Sequence, residues 1–169
     1  MNVELITKAE AIARNAEVAS IANVDDKGYP RVSTISNLKT DGLRKVWFAT
    51  GLGSSKVKFF RKDSKASVCY RDGGNNVTLV GDVEIITSPE LKEQLWQDWF
   101  IDHFPGGVQD PNYCILQFTT KEVFLWVDNQ YEELLFQQGE GSLIARVREV
   151  VRWADGHLRL ERLGPTSEV

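Results

Sequence analysis

Hydrophobic and polar positions recur along this chain with two different periods, and the change of period marks its elements. Between Val3 and Asn15, the residues Leu5, Ile6, Ala9, Ile12 and Ala13 return at helical spacing. That predicts an amphipathic first helix whose apolar face docks on a sheet. From Val18 the period drops to two. Val18–Val24 and Pro30–Leu38 are strand-type runs joined by Asp25-Asp-Lys-Gly28, where the glycine supplies the positive φ of a tight hairpin. A turn at Thr40-Asp-Gly42 leads to a third strand, Lys45–Thr50. Beyond it, Val57, Phe60 and Phe59 give a short helix its inner face, while Lys58, Arg61 and Lys62 turn to water. Ala66–Arg71 reads as a fourth strand and Val77–Thr87 as a long fifth one, in which Gly81 marks a bulge or a close approach.

Ser88-Pro89-Glu90 has the residue types that open a helix, namely a capping hydroxyl, a first-turn proline and an acidic side chain at the positive end. Leu91, Leu95, Trp96, Trp99 and Phe100 predict its apolar face, and Phe104-Pro-Gly-Gly107 its end. Trp96 and Trp99 belong either to their own subunit's core or to an interface. Two further strands are expected at Tyr113–Thr119 and Glu122–Asp128. About seven strands linked by tight turns favour a mainly β, antiparallel barrel with flanking helices, because closure removes exposed sheet edges. The last segment is two-valued. Ser142 can cap a helix with Leu143, Ile144, Val147, Val150 and Val151 on one face, yet so many valines also suit a strand; Asp155-Gly156 ends it either way. Arg146, Arg148, Arg152, Arg159 and Arg162 read as a solvated face or as a meeting point for an acidic partner or second subunit.

Composition narrows the class. At 169 residues, with 42% hydrophobic and 26% charged side chains, the chain has the make-up of one soluble globular domain. A net charge of −4 argues against a nucleic-acid partner, which demands a concentrated basic surface. No apolar run approaches the roughly 18 residues of a membrane span, and the N-terminal stretch has no secretory apolar core, so a cytoplasmic protein with no membrane partner is expected. Cys69 and Cys114, each beside apolar or aromatic neighbours, are expected as buried free thiols. His103 and His157 stand alone, and no metal site is expected. Asp82 and Glu84 share a strand face as solvent-facing carboxylates, and neither a triad nor an acid–base pair is evident, so catalytic residues stay unassigned.

The stretch Trp47–Arg61, WFATGLGSSKVKFFR, carries the most suggestive chemistry. If a helix starts near Ser54 or Ser55, its unpaired N–H groups and dipole favour an anion. Gly51 and Gly53 let a ligand approach, Ser54 and Ser55 add hydroxyls, and Lys56 adds a mobile positive charge. The alternative is a plain helix cap. The spacing is neither that of a Walker loop nor that of a dinucleotide fingerprint. Arg31 offers a second cation, and along Val32, Ser33, Thr34 and Ile35 the backbone can donate and accept at the edge of a flat polar ring, unless this is an ordinary half-buried strand.

In order along the chain, ASIANVDDKGYPRVSTIS, KVWFATGLGSSKVKFFRKDSKASVCY, NNVTLVGDVEII and ELKEQLWQDWFIDHFPGGVQDPNYCILQFTTKEVFLW follow an N-terminal helix. Over residues 3–128 this set resembles the pyridoxamine 5′-phosphate oxidase-like superfamily of FMN-binding split barrels, in its general stress protein branch. The resemblance implies a split-barrel domain at 1–136, with 137–169 as an extension packed on the barrel or on a partner. It also implies a homodimer binding FMN at the subunit interface, with FAD, F420 or haem as other occupants. Lys56 and Ser55 would hold the phosphate beside Ser54 and Thr50, the strand Arg31, Val32, Ser33, Thr34 would run along the flavin, and Thr78 and Val80 would come from the other chain. Many members carry an arginine three residues after the proline, where this chain has Ser33; Arg31 sits two residues earlier on the same strand face. The basic C-terminal pattern of the oxidase proper is not reproduced around Arg159 and Arg162, so vitamin B6 oxidation is not the leading expectation. That expectation is a flavin-dependent oxidoreductase of an unidentified small substrate; the alternatives are a non-catalytic flavin-binding stress protein and a barrel whose cofactor site has decayed.

Overall fold

The computed structural model describes residues 2–136, 143–154 and 157–162. The first helix, α1 (Val3–Asn15), forms where the periodicity predicts it. Asn2 caps it by accepting the Leu5 N–H, and Leu5, Ile6, Ala9, Ile12 and Ala13 are the residues it buries. The hairpin of β1 (Val18–Val24) and β2 (Pro30–Asp41) follows, closed by Gly28 at φ +83°. Then come β3 (Lys45–Gly51), α2 (Ser55–Phe60), β4 (Lys65–Asp72) and β5 (Asn75–Ile86). After α3 (Pro89–Gln94) the chain enters β6 (Tyr113–Val127), β7 (Gln130–Phe136), β8 (Leu143–Ala154) and β9 (His157–Arg162).

Every strand pair is antiparallel, in the order β3-β2-β1-β4-β5-β6-β7-β8-β9, and β6 also pairs with β3. That last pairing closes β1 to β6 into a six-stranded barrel. Its interior is filled by alternate residues such as Ile21, Ile35, Phe48, Val68, Leu79, Phe118 and Leu125, with α1 and the Val57 and Phe60 side of α2 packed on the same core. Among the described residues no helix is long and apolar enough to cross a membrane.

Three expectations need correction. The two strands expected at Tyr113–Thr119 and Glu122–Asp128 are one continuous strand, β6. The polar Thr119-Thr-Lys-Glu122 run is a bulge, not a turn: Gly81 faces Thr120 while Val80 faces Glu122, so Lys121 is the extra residue. Gly81 is also a close approach, since a Cβ there would lie 2.0 Å from the Thr119 carbonyl oxygen. Through this bulge β6 changes partners, pairing with β3 over Tyr113–Thr119 and with β7 over Glu122–Val127.

The long helix expected after Ser88 ends at Gln94 and gives way to short 3-10 turns at Asp98–Asp102 and Gly107–Gln109; Ser88 occupies the cap without a side-chain hydrogen bond. Breaking the helix lets Trp96, Phe100 and Phe104 converge on the ring of Tyr113, at centroid distances of 5.3, 5.7 and 5.0 Å. These rings form a second core outside the barrel, against Trp47 and Ala49 of β3 and Ile115 of β6. Trp96 therefore belongs to its own subunit's core, whereas Trp99 is half exposed.

The third correction is the strand count, nine among the described residues instead of about seven. The two-valued C-terminal segment resolves as strand: β8 pairs with β7, and β9 with β8, placing Arg152 opposite Arg159 and Glu149 opposite Arg162. Ser142, Asp155 and Gly156, read as cap and terminator of that segment, lie outside the described residues.

Candidate functional site

At the join of β3 and α2 the local sequence sets the geometry. Ser54 caps α2, its hydroxyl accepting the Val57 N–H at 3.4 Å and receiving a hydrogen bond from the Thr50 hydroxyl at 3.4 Å. The Ser54 N–H is spent on the Gly51 carbonyl. Asn112 takes up the other two amides of the loop: its carbonyl accepts the Leu52 N–H at 2.6 Å and its Oδ1 the Gly53 N–H at 2.9 Å. What remains is the start of the helix, where the Ser55 and Lys56 N–H groups have no acceptor among the described residues. Thr50, Ser54, Ser55 and Lys56 are thus brought together, as the sequence predicts.

Charge at the join is positive and partly uncommitted. Lys58 and Lys62 both pair with Asp26 of the β1–β2 hairpin, which fastens that hairpin to α2 and, through Lys62 first, holds the Asp26 carboxyl below its ordinary 3.8. Lys56 has no carboxylate partner among the described residues. Beneath the join, Cys114 of β6 is fully buried and donates its S–H to the Thr50 carbonyl at 3.4 Å. Burial pushes that thiol up to about 11, opposed by the positive charges of Arg61, Lys92 and Lys56. Those three cations therefore act on the same corner. Cys69, expected to be buried as well, is only half-buried, because its β4 position faces outward and accepts from the Asn76 amide.

The barrel wall divides beside this corner. Residues Pro30–Ser36 of β2 pair only with β1, and residues Asn37–Asp41 pair with β3, with a bulge between Asn37 and Lys39. Over Arg31, Val32, Ser33 and Thr34 the side of β2 that faces β3 therefore carries no ladder, and alternate N–H and C=O groups line a free edge. Arg31 and Ser33 lie opposite Asn23 and Ile21, on the inward-facing side, confirming that they share a face. Arg31 reaches Asp25 at 3.7 Å with two thirds of its side chain exposed, a pairing too weak to fix it in place. Asp25 itself is held low chiefly by the Tyr29 N–H, with the Lys27 N–H and Arg31 adding to it.

Thr78 is not part of this cluster. Register places it beside Cys69, then Ser20, then Thr34, three strands away and roughly 14 Å at ordinary strand spacing. It belongs to an outward face on which two rows align across β2, β1, β4 and β5: Val32, Ala22, Ser67 and Val80, then Thr34, Ser20, Cys69 and Thr78. None of the eight is charged. Val18, Val24 and Val32 are exposed large apolar residues at one side of this face. Where β2 leaves β1 for β3, a cavity of about 450 Å³ is lined by Ser36, Leu38, Gln97 and Trp99 among others.

Sequence reasoning missed one residue here. Asn112 stands within Asp-Pro-Asn-Tyr113, with no local signal that it reaches the loop sixty positions earlier; Arg61 is exposed, as expected, and its charge bears on Cys114. Asp82 also differs from its solvent-facing expectation: it is half-buried between Lys121 and Ser64, which hold its carboxyl below 3.8, while Glu84 is exposed. Among the described residues no cluster of metal-ligating side chains occurs.

Compared with known proteins, residues 5–127 match the family profile described as pyridoxamine 5′-phosphate oxidase. No curated protein matches the sequence. Among solved structures, a protein from Clostridium acetobutylicum related to general stress protein 26 of Bacillus subtilis superposes with TM-score 0.73 at 24% identity, over 80% of this chain and 96% of that one. General stress protein 26 of Bacillus anthracis superposes with TM-score 0.61 at 16% identity, over 72% and 91%. A pyridoxamine 5′-phosphate oxidase-related, FMN-binding protein of Nostoc punctiforme gives TM-score 0.61 at 16% identity and covers 96% of both chains. That match leaves too few residues over to omit β8 and β9, so the shared fold runs into the C-terminal strands.

Proposed function

The chain belongs to the pyridoxamine 5′-phosphate oxidase family, and from that membership we propose that it is a homodimeric FMN-binding protein acting as an oxidoreductase on a small substrate. The observation that carries the reading is the uncommitted donor set at the β3–α2 join: two helix-start N–H groups, the hydroxyls of Ser54 and Ser55, with Thr50 donating to Ser54 behind them, and a lysine without a carboxylate partner among the described residues. A phosphate dianion fits such a set, because N–H donors, hydroxyls and an ammonium all favour negative charge. Lys56 and Ser55 would bind the phosphate, and Arg61 would add long-range attraction. The free edge of β2 at Arg31–Thr34 would supply donors and acceptors to the polar side of the flavin ring. FMN would provide the hydride and electron transfer; the chain's part is to bind, orient and shield it.

The uncharged outward face supports dimerisation. A second copy set against Val32, Ala22, Ser67 and Val80 would cover exposed apolar area at little desolvation cost, and it would bring a partner's Thr78 to a site that the chain's own Thr78 is too far away to serve. The cavity beside Trp99 is of a size for a small substrate next to the flavin edge.

An absorption spectrum of freshly purified protein, with mass analysis of whatever heat releases, tests the assignment. Flavin bands and the mass of FMN are expected. Colourless protein that gains no thermal stability from excess FMN contradicts it, since a ligand of the native state stabilises by mass action. Turnover with NADH, NADPH or a reduced deazaflavin supports the oxidoreductase, and tight binding without turnover assigns the protein to flavin binding alone.

A further inference from the structure

We propose that Asn112, supported by Asp110 and Lys92, is a positioning residue for anion recognition: it clamps the 51–53 loop so that only the helix-start amides face the ligand. The inference rests on the FMN reading above. Of the four amides between Gly51 and Ser55 that a phosphate loop would be expected to offer, those of Leu52 and Gly53 are taken by Asn112 and that of Ser54 by Gly51, leaving Ser55. One residue far away in sequence, through its main-chain carbonyl at Leu52 and its side chain at Gly53, therefore decides which amides are available.

The contact is close as well as polar. A Cβ on Gly51 would lie 2.8 Å from the Asn112 Nδ2, so glycine at 51 makes room for the clamp and not for a ligand. Asn112 is in turn held from behind. Its N–H donates to the Asp110 Oδ1 at 2.8 Å, and the Asp110 Oδ2 accepts the Gly106 N–H at 3.0 Å. The Asp110 carbonyl accepts from the Lys92 ammonium at 3.0 Å and from the Tyr113 N–H at 3.1 Å. Lys92 is 93% buried, its ammonium 5.2 Å from the centre of the Tyr113 ring, and the Tyr113 hydroxyl donates to the Lys92 carbonyl. Burying an ammonium is expensive unless it is hydrogen-bonded. Here it stiffens the turn that presents Asn112, linking the aromatic second core to the join, and its charge is among those felt at Cys114.

Affinity for FMN and for riboflavin, read by flavin fluorescence quenching, separates positioning from plain structural support, because only FMN carries the phosphate. Asn112→Ala is expected to weaken FMN about five- to tenfold, the worth of one hydrogen bond, while riboflavin changes less than about twofold. Gly51→Ala, which pushes the Asn112 side chain aside, should do the same and carries the test should Asn112→Ala fail to fold. Lys92→Met should shift FMN in the same direction, and in the Asn112→Ala background it should cost nothing further. Unchanged FMN affinity in both Asn112→Ala and Gly51→Ala, or equal losses for FMN and riboflavin, overturns the clamp; additive losses remove Lys92 from it. Should the unmutated protein bind FMN no better than riboflavin, the phosphate reading itself fails and takes this role with it, whereas discrimination that survives in the variants sinks the clamp alone.

Discussion

At the scale of single residues, the contact between Gly51 and Asn112 makes the sharpest stability prediction. Gly51→Ala should destabilise by about 1–3 kcal/mol, because the new methyl meets a side chain whose Oδ1 is held by the Gly53 N–H, on a residue whose own N–H is held by Asp110. In the Asn112→Ala background all three of the nearest clashing atoms are gone. The same glycine substitution should then cost less than about 0.5 kcal/mol, and thermal unfolding of the four proteins measures the difference. Equal costs in both backgrounds would show that the glycine serves some other need. Much of the candidate site at this scale is legible in sequence, since Ser54, Ser55 and Lys56 announce themselves by type and by adjacency. Asn112 is not, because its partners are distant in the chain and asparagine before a strand is common. Nor does a lysine- and arginine-rich helix face show which of its charges an aspartate on another element will consume, as Asp26 does those of Lys58 and Lys62.

Among the elements, β6 shows where periodicity misleads. Its polar Thr119–Glu122 run imitates a turn, yet the strand continues through a bulge that Gly81 accommodates from the opposite side. Gly81→Ala should therefore be severe, a loss of about 3 kcal/mol or more, because the obstacle is backbone and cannot swing away. A Gly81→Ala protein with a urea midpoint near that of the parent would refute the close approach. Elements that the sequence places within a residue, such as α1 and β1, have one buried face and one wet face, so their patterns are unambiguous. The Trp-rich segment misleads for a related reason. Its apolar residues do recur at helical spacing, but convergence of three rings on Tyr113 outweighs the continuation of a helix. The Lys58 and Lys62 ties to Asp26 join hairpin to helix at the surface; Asp26→Asn should leave global stability nearly unchanged while speeding amide exchange in the 25–29 turn.

For the whole molecule, stability should form a plateau in pH. The carboxyls of Asp25, Asp26, Asp82 and Asp110 sit below 3.8 in the fold, so their contribution is present above about pH 4 and is lost as pH falls further. Cys114 is raised from 9.0 to about 11 and Tyr113 from 10.0 to about 12, mainly by burial. Their protonated forms are favoured by folding, so that stability is complete below about pH 9 and is lost as pH rises through the raised values. Between pH 9 and 10 the decline should belong to Cys114 and vanish in Cys114→Ala, as urea midpoints would reveal; an unchanged slope would exclude it. At the same scale, sedimentation should find a dimer that Val80→Glu converts to monomer with loss of flavin capacity, because a charge is placed in an uncharged row. The most direct measurement of the central claim is the ratio of riboflavin to FMN dissociation constants in the unmutated protein and in Lys56→Ala. A ratio well above one that falls about tenfold or more on removing the ammonium is the predicted result; a ratio near one in the unmutated protein, or one that Lys56→Ala leaves untouched, would contradict it.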